Sequence, residues 1–310
     1  MKALKILAVI FVVALMFTAC TNDNGNSSSI SNSTPMTSSP SQTPSSSSAS
    51  PSSTASLPSS AANSPADSSS SAAPALSTDY GAFAALSAQE QNWGQGVRFN
   101  EQNQPEASVI FQERYGKYNA YFIGNTEKKI YLTFDEGYEN GMTAEILDIL
   151  KEKNVKATFF VTGDYVKSEP ELVQRMVDEG HAVGNHSWSH RYMARQPLSE
   201  VADDVWKLHE YVKENFNYEM TVFRYPAGNF TEQTLALLDS MNYKTLFWSY
   251  AYKDWEVDNQ PDVEASFQKA CERTHDGAIY LLHAVSKTNV AFLPDLIDYW
   301  QQQGYELALF

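Results

Sequence analysis

Cysteine is nearly absent from this chain. The two cysteines are Cys20, in a leader-like segment, and Cys271. With Cys20 taken up by the leader, no intrachain disulfide forms and stability must come from a hydrophobic core. Basic residues are scarce as well: 22 Lys and Arg against 37 Asp and Glu give a formal net charge of -15. That balance argues against nucleic acid as a partner, since its binding depends on basic patches. No apolar run reaches the roughly 18 to 20 residues that a membrane-spanning helix needs. Neither a Gly-x-Gly-x-x-Gly nor a phosphate loop follows the first strand of the folded part, which argues against a doubly wound nucleotide-binding sheet.

What is present begins with a leader. Lys2 and Lys5 precede an apolar run over 6–17, followed by Thr18, Ala19 and Cys20. A basic start, a short apolar core and small residues at the cut are the layout of a secretory signal. Small residues directly before a cysteine resemble a bacterial lipoprotein signal over 1–20. That likeness implies lipidation of Cys20 and a membrane anchor through the lipid. The alternatives are an ordinary signal peptide or an uncleaved anchor, and all three place the rest of the chain outside the cytoplasm. Residues 21–78 are Ser, Pro, Ala and Thr with almost no large apolar side chains. Such a segment cannot bury enough surface to offset chain entropy and reads as a disordered linker. As a coil it spans about 40 Å or more, and fully extended about 190 Å, enough to tether a domain through a cell wall.

Residues 79–129 carry Trp93, Phe99, Phe111, Tyr115, Tyr118, Tyr121 and Phe122 and are too apolar for more linker. We expect an irregular cap packed on the domain that follows, 130–310. There, apolar strand-like runs at 130–134, 157–161, 182–184, 222–224, 245–249, 278–282 and 305–309 alternate with helical patterns at 143–153, 169–179, 199–215, 231–241, 263–273 and 289–303. Ser199, Thr231 and Asp262 sit where helices start, and Gly180 and Gly304 where they stop. Alternation of this kind predicts an α/β fold with parallel strands covered by helices. About seven strands predict an incomplete (β/α) barrel.

The polar residues that stand out all follow strands. The run IYLTFDEG ends in Asp135 and Glu136, two adjacent acids that need a partner if buried, either a metal ion or an arginine. Asn185 and His186 follow the third strand, Arg224 closes the fourth, Asp254 and Trp255 follow the fifth, and His283 ends the sixth. In α/β barrels the carboxyl ends of the strands converge on one face, where active sites form. His186 and His190 in HSWSH are spaced i, i+4, which on a helical turn aligns both imidazoles. Two such histidines and a carboxylate suit a catalytic zinc with an open position. A bound zinc lowers the pKa of its water from about 15.7 to about 7, and a neighbouring carboxylate can then take the proton. Asp135 is the candidate base, Glu136 the candidate ligand, and Arg224 a candidate partner for Asp135. Asp254 is placed to orient and charge His283 as a general acid. Trp255 and Trp188 are candidate walls of a sugar site, although core packing is the ordinary role of either.

The motifs TFDEG (133–137), HSWSH (186–190), RYPAG (224–228), DW (254–255) and LLH (281–283) resemble, in order, the five motifs of the polysaccharide deacetylases, carbohydrate esterases with a NodB-type domain. The flanking NWG, GYENG and WSYAYKDW more closely resemble the delta-lactam-forming N-acetylmuramic acid deacetylases of spore-forming bacteria. The resemblance implies metal-assisted removal of an N-acetyl group. Asp135 would be the base and His186 and His190 metal ligands. Arg224 would orient Asp135, and Asp254 would tune the acid His283. The N–H near Ala227 would help hold the oxyanion. Glu136 stands where the family normally has aspartate, and Tyr225 and Ala227 depart from its third motif, which bears on the substrate pocket.

The function expected is N-deacetylation of muramic acid in a peptidoglycan strand, with sporulation and dependence on an amidase following from the resemblance alone. Alternatives are an N-acetylglucosamine deacetylase acting on peptidoglycan or a chitin-like polymer, and a wall-binding module with a dead metal site.

Overall fold

The central strands of the domain are short, largely apolar runs buried on both faces, as a parallel sheet under helices requires. The computed structural model describes residues 79–125 and 127–310, so the signal, Cys20 and the linker fall outside the described residues. The first central strand is β3 (Lys129–Glu136), after β1 (Gln91–Asn92) and β2 (Ala120–Tyr121) of the amino-terminal segment. Then come β4 (Thr158–Val161), β5 (Ala182–Asn185), β6 (Val222–Phe223), β7 (Asn229–Phe230), β8 (Lys244–Leu246), β9 (Ala278–His283) and β10 (Glu306–Leu307). The order across the main sheet is β9-β3-β4-β5-β6-β8-β2, every pairing parallel, with β10 continuing the β4 edge at the start of β3. These seven strands form a curled half-barrel. Between β8 and β9 no regular ladder forms, and a single bridge from Tyr250 to Tyr280 spans the gap.

The helices are α1 (Glu106–Tyr115), α2 (Thr143–Glu152), α3 (Gly163–Ser168), α4 (Pro170–Asp178), α5 (Leu198–Phe216), α6 (Glu232–Ser240), α7 (Val263–Glu272) and α8 (Lys287–Gln302). Their ends follow local chemistry. Thr231 caps α6 in a capping box with Thr234, and the Asp262 carboxylate accepts from Ala265 N–H at the start of α7. Ser199 is not a cap, because α5 already begins at Leu198 behind Pro197. Gly180 and Gly304 follow α4 and α8 at φ +77° and +79°, where a side chain would be strained. None of the helices among the described residues is long and apolar enough to cross a membrane.

The amino-terminal segment is more regular than the cap expected from sequence. It contributes α1, and its β2 is an edge strand of the main sheet beside β8. Strand β1 pairs antiparallel with β7. Trp93, Phe111, Tyr115 and Phe122 pack with Phe230 and Phe247 as an aromatic cluster under the sheet, Phe122 stacked on Phe247 at 4.1 Å. Two-residue strands carry little sequence signal, which is why packing shows them and periodicity does not.

Trp300 anchors α8. It is fully buried, its indole N–H donates to Thr274 Oγ1 at 3.0 Å, and its ring meets Tyr280 of β9 at 4.6 Å. Trp300→Ala leaves a large cavity behind the strand that carries His283. We expect it to cost about 3–5 kcal/mol, read as a lowered urea midpoint.

Candidate active site

Strand β3 places the first acid. Side chains alternate across a strand, so Thr133 and Asp135 share the inner face while Leu132, Phe134 and Glu136 share the other. Arg224, at the end of β6, reaches them from across the barrel and is fully buried. Its Nη1 donates to Asp135 Oδ1 and to Thr133 Oγ1, both at 2.8 Å, while Nε and Nη2 donate to the carbonyls of Leu246 and Phe247. Phe160 lies flat under the guanidinium at 4.2 Å. Burial alone would raise the Asp135 pKa, but the charge of Arg224, with His186 and His283, more than offsets it and holds the carboxyl below the usual range.

Glu136 does not join the site. The ladder runs on through Glu136 instead of stopping at Phe134, so alternation turns the second acid away from the first. It is fully buried on the helix side. Thr143 Oγ1 donates to its Oε2 at 3.5 Å, its Oε1 has no partner, and Tyr165 and Glu139 complete a small polar cluster. Burial, then the charges of Glu139 and Asp135, push its pKa well above the usual range. The expected pairing of Glu136 with the two histidines is therefore not formed, and the carboxylate beside them is that of Asp135, whose Oδ2 lies 3.5 Å from His186 Nε2.

The two histidines meet without a helix. HSWSH is an irregular loop after β5, with Ser187 and His190 in the left-handed region at φ 69° and 52°. The loop is stapled: Asn185 Oδ1 accepts from Ser187 N–H, Ser187 Oγ from His190 N–H, and Asp204 of α5 from the Trp188 and Ser189 backbones. Trp188 closes directly over Gly163, where an added Cβ would lie 2.5 Å from the indole. The rings of His186 and His190 stand 4.9 Å apart. Burial lowers both pKa values, that of His186 to about 4. His186 Nδ1–H donates to the Arg224 carbonyl at 2.9 Å, which assigns its lone pair to Nε2.

On the opposite wall, His283 ends β9. Its Nδ1–H donates to Asp254 Oδ1 at 2.7 Å, and its backbone N–H donates to Oδ2 at 2.8 Å. Asn289, in the first turn of α8, donates to Asp254 Oδ2 at 2.6 Å and to the His283 carbonyl at 3.0 Å. Burial would lower the His283 pKa, but the hydrogen bond and charge of Asp254, with Asp135, outweigh it and the net direction is up. The remaining histidines, His181, His209 and His275, spend ring nitrogens on hydrogen bonds elsewhere in the fold.

Two adjoining cavities, of about 600 and 400 Å³, share Asp135, His186, His190, Trp255 and His283 as lining. The larger arm is walled by Gln95, Trp248, Tyr252 and Lys253, and the smaller by Tyr138, Trp188 and Asp164. Trp255 is half exposed over His283, 5.5 Å from its ring. Ala227, at φ 52°, borders the larger arm. Tyr225 does not: it is buried against Phe223 and Phe247, so its expected place in the pocket is corrected to the core. Sequence reading missed Thr133, Asn289 and Gln95. Gln95 holds Trp248 through Trp248 Nε1–H at 2.9 Å, a link across 153 positions that no local pattern carries.

Among the described residues no three His, Cys, Asp or Glu side chains converge as a complete metal-ligand set. The donors that do meet still suit a cation. The His186 Nε2 lone pair and the Asp135 Oδ2 face each other at 3.5 Å with no proton assigned between them. A divalent ion beside His190 relieves that opposition. The residues thus fit a site with two imidazole ligands and Asp135 alongside.

The raised pKa of Glu136 makes stability depend on pH. A carboxyl that stays protonated when folded but ionises near pH 4.5 when unfolded loses stabilising effect as pH rises from there towards its folded pKa. Glu136→Gln removes that loss. In chelator, urea unfolding at pH 5 and pH 8 should show wild type weakening more than the variant. Arg224→Met leaves Asp135 buried without its partner and should cost about 3–5 kcal/mol by the same measurement.

The polysaccharide deacetylase family matches residues 123–246. The peptidoglycan-N-acetylmuramic acid deacetylase PdaA of Bacillus subtilis is 41% identical over 223 residues, covering 71% of this chain and 84% of that protein. An uncharacterized 30.6 kDa protein of Geobacillus stearothermophilus is 46% identical over 72% of this chain and 84% of its own length. The solved structure of Bacillus subtilis PdaA, a family 4 carbohydrate esterase, superposes with a TM-score of 0.68 at 39% identity, covering 72% of this chain and 95% of that one. Deacetylases of this family are metal-dependent in general. With the fold, the strand-end residues and these relatives in agreement, the chain belongs to the polysaccharide deacetylase family.

Proposed function

We propose that this protein removes the N-acetyl group of N-acetylmuramic acid in peptidoglycan, outside the cytoplasm, as a step towards muramic delta-lactam. The observation that carries the reading is the opposed pair of Asp135 on Arg224 and His283 on Asp254 across one cavity. The two environments push the groups apart, the Asp135 carboxyl below its usual range and the His283 imidazole above its own, which is the division a base and an acid need. Asp135 accepts the proton of the attacking water. His283 donates from Nε2 to the departing amine nitrogen while Asp254 holds Nδ1–H. The backbone N–H at Ala227, a residue that borders the larger arm, would help hold the oxyanion. His186 and His190 would hold a divalent metal, zinc in our reading, and a bound ion supplies a Lewis acid for the acetamide carbonyl. Trp255 forms the wall against which the sugar ring packs.

A partner amidase first strips the stem peptide, and the freed amine then closes on the lactyl carboxyl carbon, whose C–O bond breaks with loss of water. Lipidation of Cys20 tethers the domain to the membrane through the linker.

Acetate release from peptidoglycan, with and without amidase treatment, tests the substrate. We expect chelator to stop release and zinc to restore it, on stripped glycan only. Release from untreated glycan points to N-acetylglucosamine, and none at all to a wall-binding module. His283→Ala should lower kcat by about 10²–10⁴. Activity should fall at alkaline pH as His283 loses its proton above its raised pKa. Asp254→Asn removes the charge that raises it and should move that limb of the kcat/KM profile to lower pH.

A further inference from the structure

We propose that Lys253 reads the free lactyl carboxylate of the muramic acid being deacetylated, and so selects glycan from which the stem peptide has already been removed. The inference rests on the muramic acid reading and adds to it the residue that distinguishes its substrate.

Muramic acid carries its acetamide on C2 and its lactyl ether on the adjacent C3. With the acetamide between Asp135 and His283, the lactyl carboxylate falls inside the same cavity. Attached to a stem peptide, that carboxyl is a neutral amide. Stripped, it is an anion entering a protein of formal charge -15, so a local cation must offset the overall field.

The charged residues and histidines that line the two arms are Asp135, Asp164, His186, His190, Lys253 and His283, with the tyrosines Tyr138 and Tyr252 beside them. Lys253 is the single Lys or Arg in that set. Arg224 is not available, because its donors are committed to Asp135, Thr133 and two backbone carbonyls. Lys167 and Lys207 approach the ring of Trp188 but line neither arm. Asp164 borders the smaller arm, where it repels a carboxylate, and Lys253 borders the larger. Lys253 also directly precedes Asp254, so its backbone is held beside the acid His283.

Lys253 is partnered by Glu256, Nζ to Oε1 at 2.7 Å, but both side chains are exposed, 58% and 39%. An exposed pair three residues apart is weak and screened. A substrate carboxylate held in the cleft by the rest of the sugar can take the ammonium from Glu256 through a charge-assisted hydrogen bond. The pair thus keeps the cation in place until an anionic sugar arrives.

The test uses the full chain with zinc and two forms of amidase-treated glycan. One keeps its lactyl carboxylates, and the other has them coupled to methylamine. We expect wild type to favour the free acid by about tenfold in kcat/KM, chiefly through KM. Lys253→Met should bring the two substrates within about threefold, and Lys253→Arg should restore the preference. Because Lys253 is exposed, the Met variant keeps its fold, which a melting curve checks. Muramic acid deacetylation with a preference unchanged in Lys253→Met overturns the assignment of Lys253 alone, as does a wild type indifferent to the coupling. Acetate released only from glucosamine overturns the muramic acid reading and this inference with it.

Discussion

The ion pair between Asp135 and Arg224 is the constraint on which the site depends. A guanidinium with no solvent contact is tolerable only if its donors are satisfied. Here they are, by a carboxylate, a threonine hydroxyl and two strand-end carbonyls. One side chain therefore ties β3, β6 and the chain beyond β8 together across the barrel interior. The same contacts leave Asp135 with one oxygen bound and the other directed at His186. The Arg224 carbonyl sets the His186 tautomer. The Asp135 carboxylate, the His186 ring and the packing of the barrel strands are thus coupled at a single residue.

The His283 side of the cleft is built differently. His283 draws its charge from Asp254, and Asp254 is in turn held by a backbone N–H and by Asn289. Strand β9, the loop after β8 and the start of α8 meet there. Two sub-structures with separate supports face each other over a cleft open on two sides of the catalytic cluster. That openness suits a polymer, since the chain on either side of the reacting sugar needs somewhere to lie. The amino-terminal segment shares in the cleft through Gly94 and Gln95, so it belongs to the site as well as to the sheet.

Particular residues show why some of this was legible in the chain and some was not. Asp135, Arg224, His283 and Asp254 were readable because each ends or follows a strand-like run, and parallel barrels gather such ends on one rim. Glu136 was misread because its side depends on whether the strand stops one residue earlier or runs on, and a one-residue difference reverses the face. Tyr225 lies beside Arg224 in sequence, but it turns into the aromatic core. The helical reading of HSWSH failed because the loop's two left-handed residues are stabilised by Asn185 and by Asp204 on α5, which no local periodicity reports.

The sequence by itself determined the alternation of the main strands and helices after β2, the parallel α/β class, and the set of ionisable groups delivered to one rim. Those follow from short-range patterning and from the handed, local connections of an α/β chain. The tertiary structure alone decided which of those groups face each other. Asn289 on Asp254, Thr133 under Arg224, Glu136 turned outward and Lys253 beside the acid are contacts between segments, or choices of face within one. Their energies come from burial and from pairing across the barrel, and neither exists until the strands have closed.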